Sequence, residues 1–92
     1  MLVKPSVHLN GTSAEELLNG YAAAFSALSA ARDKLALTAP HGRDYYVQPD
    51  DAIAAATEQH VRRMQRLTAV IHEIETLAMH VSDHVVRKRE GR

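Results

Sequence analysis

The chain has 92 residues, eleven basic and eleven acidic side chains, a formal net charge of zero and no cysteine. That length holds one domain. The charge balance gives no overall attraction to nucleic acid or to an anionic membrane, and the missing cysteines exclude disulfides, thiolate metal sites and thiol chemistry. No run approaches the roughly 18 apolar residues that span a bilayer, so a soluble protein is expected. Tyr21, Phe25, Tyr45 and Tyr46 are the only aromatic residues, and alanine is abundant. Alanine loses no side-chain entropy in a helix, so this composition favours an all-α fold.

Residues 1–12 read as an extended lead. Lys4 and Pro5 break the only stretch that resembles a secretory core, and Pro5 steers Lys4 away from helix. Val7 and Leu9 flank His8 in a short alternation that ends at the turn dipeptide Asn10-Gly11. With no second strand to pair with, this segment is expected to lie along a helix.

The first helix is expected over about 13–38. Thr12 with Glu15, or Ser13 with Glu16, fits a capping box. The inward stripe is Ala14, Leu18, Tyr21, Phe25, Leu28, Arg32 and Leu35 in four-three steps, widened by Leu17, Ala24 and Ala31. Gly20 weakens the helix by about 1 kcal/mol relative to alanine and suggests a close contact there. Pro40 disfavours helix at Ala39.

Residues 38–49 form a connection of about a dozen residues, longer than the roughly 2–8 that a helical hairpin needs. Its cluster His41, Arg43, Asp44, Tyr45 and Tyr46 is the best candidate for a contact surface. One tyrosine is expected to plug the hairpin end and the other to face a partner. The plainer reading is a loop pinned by its own side chains, with Arg43 and Asp44 holding the turn.

The second helix is expected over about 50–87, with Pro49, Asp50 and Asp51 suited to its start. Ile53, Thr57, His60, Met64, Leu67, Ile71, Ile74, Ala78, Val81 and Val85 alternate steps of four and three without a slip. That is the heptad stripe of a long helix packed against other helices. Folding the hairpin about the loop centre pairs residue i with about residue 87 minus i. Leu35 then meets Ala52 or Ile53, Leu28 meets His60, and Ala14 meets Glu73 or Ile74. Everything past about residue 75 overhangs the shorter helix. The apolar residues there, Leu77, Ala78, Val81, Val85 and Val86, then need cover from the lead and from a second copy, as do Val61 and Val70 off the seam.

The strings VHLNGTS at 7–13 and GRDYY at 42–46, at this separation, resemble a group of small proteins encoded in bacteriophages and prophages of proteobacteria. The likeness covers the lead, the capped helix, the loop and the long charged helix. It implies a bacterial or viral setting, hence a cytoplasmic (bacterial host) or virion-associated location, and an accessory role. No established activity attaches to the group, so no catalytic residue carries over.

Several residues invite a chemical reading. His80 and His84 stand four apart on one helix and could share a metal ion. The HExxH pattern with its general-base glutamate is absent, however, and the two positions flank the seam, so rim histidines are the expectation and no metal is assigned. His60 lies on the seam, where a buried imidazole needs a hydrogen bond. It reads as a core histidine or a register device, with a pH switch as the functional alternative. Arg32, also on a stripe, is expected to snorkel toward Asp51 or Glu58. Arg62, Arg63 and Arg66, with Arg87, Lys88, Arg89 and Arg92 of the tail, form basic groups that could neutralise phosphates. Cations also suit a helix C-terminus, and there is no helix-turn-helix or base-stacking set. No nucleophile elbow or phosphate-cradling glycine loop occurs.

The expectation is therefore an all-α, antiparallel two-helix hairpin with a longer second helix. Its parts are an extended segment 1–12, a helical domain 13–88 and a basic tail 89–92, paired with itself as a dimeric four-helix bundle. The function expected is a non-enzymatic protein–protein interaction module of a phage accessory or assembly protein, with no catalytic residues, cofactor or membrane partner. Its contacts with itself and with another protein are expected through His41, Arg43, Tyr45 and Tyr46 and through Leu77, Val81 and Val85. The alternative is a small DNA-associated or regulatory protein using the basic face and tail.

Overall fold

The structure, a computed structural model, describes residues 1–49 and 51–90, and the side chains of 1–49 and 51–88. Asp50, the Arg89 side chain and Arg92 lie outside the described residues. Two helices make up the fold, α1 (Ala14–Ala36) and α2 (Ala52–Glu90), with a short 3-10 turn at Gly42–Asp44 between them. No strand occurs among the described residues. The all-α hairpin with the longer second helix is thus the architecture.

Each helix end has a local cause. Ser13, not Thr12, is the cap of α1: its Oγ accepts from the Glu16 backbone N–H at 3.1 Å. Glu15 and Glu16 stand in the first turn and Lys34 in the last, as the helix dipole favours. At the other end, the Leu35 carbonyl accepts both the Thr38 N–H at 3.0 Å and Thr38 Oγ1 at 2.7 Å, so Thr38 closes the last turn. In α2 the first turn closes when the Ala55 N–H reaches the Asp51 carbonyl at 3.0 Å.

The packed seam follows the heptads. Every residue of the α1 stripe is half-buried, and every residue of the α2 stripe except Thr57 is buried or half-buried. Thr57 instead turns its Oγ1 back to the Ile53 carbonyl at 2.8 Å. Gly20 serves no close contact within the chain: a Cβ placed there meets nothing within 4 Å.

The axial offset of the helices differs from that of a hairpin folded about its loop centre. Ser13 and Ala14, at the start of α1, line one groove with His84 and Lys88 near the end of α2. Ala14 therefore lies beside positions 84–88 of α2, not beside Glu73 or Ile74. The displacement is about a dozen residues, or roughly 18 Å at helical rise. By the same rise α1 ends near positions 62–66 of α2, and the part of α2 that α1 does not reach is its N-terminal end.

This offset explains the long connection. The chain leaving Ala36 must travel down α2 before it can enter that helix at Ala52. Pro40 and Tyr45 are the two half-buried residues of 37–49. The resulting molecule is a rod, 67 Å along its longest axis and 24 and 21 Å across. Its radius of gyration is 19.5 Å, against about 12 Å for a compact domain of this length.

Candidate interaction surfaces

The lead docks on the C-terminal half of α2. Its chain reverses at 8–11, where the Gly11 N–H donates to the His8 carbonyl at 3.1 Å. Gly11 sits so close to the His8 ring that a Cβ there would come within 2.9 Å of Nε2. Upstream of the turn, the Pro5 carbonyl accepts a hydrogen bond from His80 Nε2 at 3.0 Å. An open groove of about 390 Å³ remains at the junction, walled by Val7, His8 and Leu9 on one side and by His84 and Lys88 on the other.

This docking corrects two expectations. The C-terminal part of α2 does not overhang unshielded, because α1 begins beside it and the lead runs along it. Val81 is 0% exposed within a single chain, so it belongs to the core and is closed to a partner. Leu77 and Val85 are half-buried. The His80–Pro5 bond also bears on metal binding. His80 already uses Nε2, so ligation through that nitrogen would first have to displace the lead. Among the described residues no group of three or more histidine or acidic side chains is arranged to hold a metal.

The loop is organised by His41. Its Nδ1 accepts from the Arg43 N–H at 3.1 Å, and its carbonyl accepts from the Asp44 N–H at 2.9 Å. The Tyr45 N–H then reaches the Gly42 carbonyl at 3.1 Å. The turn is thus held by an imidazole cap and backbone bonds, and among the described residues no side-chain bond of Arg43 or Asp44 contributes. An imidazole one residue ahead of Gly-Arg-Asp was the available signal for that cap. Tyr45 is half-buried while Tyr46 and the adjacent Val47 are exposed, so the tyrosine pair does divide between interior and surface.

His60 is buried on the seam just beyond the end of α1. It makes no hydrogen bond among the described residues, contrary to expectation, yet its ring nitrogens are not sealed off. The only side-chain polar atom buried without a partner among the described residues is Ser29 Oγ. The ring therefore keeps an edge open to solvent. Arg32 is half-buried but pairs with neither Asp51 nor Glu58. The offset carries it to about positions 66–70 of α2, beyond reach of both.

The basic groups are solvent-facing. Arg62, Arg63, Arg66, Arg87 and Lys88 are all exposed. Arg62 is engaged by Glu58 one turn earlier, at 3.4 Å, an exposed pair of small energetic weight. Among the described residues no helix is long and apolar enough to cross a membrane.

Large apolar side chains are also exposed away from the lead. On α2 these are Val61 (47%), Val70 (43%), Met79 (61%) and Val86 (47%). Val61, Met79 and Val86 share one line of the helix, and Val70 lies half a turn away from it. No protein-family model, no curated protein and no solved structure matches the chain. The surface itself therefore carries the functional reading.

Proposed function

We propose that this chain is a non-enzymatic helical interaction module that works as a self-associated assembly. The observation that carries this reading is an excess of surface. The single chain exposes 7126 Å², whereas a compact monomer of its mass exposes about 5,300 Å². The excess of about 1,800 Å² is more than twice the roughly 800 Å² that each partner contributes to a standard interface. The interior is correspondingly thin, since Ile71 and Val81 are the fully buried apolar residues among those described.

A second copy covers such surface most economically, because one chain supplies both halves of a two-fold interface. The setting we propose, a phage or prophage accessory or assembly protein, rests on the resemblance carried by VHLNGTS and GRDYY. In that setting the exposed loop tip with Tyr46 is the surface offered to a further protein.

Thermal unfolding at a series of protein concentrations tests self-association. Folding coupled to association makes the midpoint rise with concentration. A midpoint independent of concentration over a hundredfold range rejects the proposal.

A further inference from the structure

Resting on that self-association, we infer that the second copy docks antiparallel on one specific line of α2, the line through Val61, Thr68, His72, Glu75, Met79 and Val86. Positions 61, 65, 68, 72, 75, 79, 82 and 86 repeat steps of four and three, so they form a second heptad row on the same helix. This row is turned about 100° from the seam that faces α1. The lead occupies the other flank, where His80, His84 and Lys88 lie. Six of its eight positions are exposed in the single chain and two, Thr68 and Ser82, are half-buried.

Its composition is self-complementary under a two-fold axis. Antiparallel pairing in which residue i meets 147 minus i sets Val61 against the second copy's Val86. It also sets Gln65 against Ser82, Thr68 against Met79, and His72 against Glu75. Apolar positions meet apolar or methyl-bearing ones, and the charged position meets an imidazole. Every pair joins the two alternate heptad positions, as an antiparallel coiled coil requires. A parallel pairing would instead place Glu75 against Glu75 near the middle of the contact, a like-charge encounter. The row spans about 37 Å of helix, a length that suits a helix-on-helix contact of ordinary size. Its exposed valines and methionine, Val61, Met79 and Val86, are the anchors, and methionine is suited to packing against an irregular partner surface.

Two variants and a cross-link decide the matter. Met79→Glu places a charge in the middle of the row at a position exposed in the single chain, and Val70→Glu places one on the opposite side. Light scattering at matched concentrations should show a dimer for the unaltered protein and for Val70→Glu. Met79→Glu should weaken association by roughly 30-fold or more, the loss expected at a binding hot spot. In parallel, Thr68→Cys protein mixed with Met79→Cys protein should form a disulfide-linked heterodimer on oxidation. That readout does not depend on whether Met79→Glu folds. A monomeric unaltered protein overturns self-association and this face together. A dimer unaffected by Met79→Glu, dissociated equally by Val70→Glu, or giving no cross-link overturns this face and leaves self-association standing. A mass above that of a dimer overturns the two-fold pairing.

Discussion

The Pro5 carbonyl and the His80 imidazole are joined by a hydrogen bond of 3.0 Å across 75 positions of sequence. Around that bond the lead lies along the C-terminal half of α2, with Leu2, Pro5 and Val7 half-buried. Val81, the next residue after His80, is the most deeply buried side chain described. The lead thus acts as a third packing element.

Val81→Ala should accordingly destabilise the protein by roughly 2–3 kcal/mol, combining lost apolar burial with a residual cavity. Denaturant titration measures this. A change below about 0.5 kcal/mol would show that the lead does not hold the site closed.

Gly20→Ala should stabilise the fold by about 0.5–1 kcal/mol. The position is helical, the added methyl meets nothing within 4 Å, and alanine reduces the freedom of the unfolded chain. Denaturation midpoints compare the two proteins. A destabilised variant would mean that Gly20 serves a close contact made only in an assembly.

Ser29→Ala should also stabilise, by roughly 1 kcal/mol. The Ser29 hydroxyl is buried on α1 without a partner among the described residues, so its removal relieves a desolvated polar group and improves helix propensity. The same titration reads it, and a loss of stability would show that the hydroxyl is in fact satisfied.

A gel shift at low ionic strength addresses the basic face. With Arg62 held by Glu58 and a net charge of zero, no retardation of duplex DNA is expected. A salt-sensitive shift that weakens when Arg63 and Arg66 are replaced by alanine would instead place nucleic acid on that face.

The faces of this fold were legible in the sequence and the axial offset was not. A four-three stripe says which side of a helix is packed, and the stripes of both helices are packed as read apart from Thr57 and the flanking Ala31, which are exposed. Sliding one helix by whole heptads leaves the same faces opposed, so periodicity cannot choose among such positions. Here the choice falls to the connection and the lead. The long 37–51 segment permits the displacement, and the Pro5–His80 contact and the groove beside Ala14 mark where α1 begins. The length of the loop was visible as an anomaly, but its cause lay in the far end of the molecule. Similarly, the pattern allowed a cap at Thr12 or Ser13, and only the placed hydroxyl of Ser13 separates them.

On the proposed function, one chain buries too little of its own surface and a second copy completes it. Sedimentation equilibrium of the unaltered, untagged protein tests this most directly. The mass of one chain is 10.1 kDa, and twice that value is expected at micromolar concentration. A single species at the mass of one chain, unchanged as concentration rises, would contradict it.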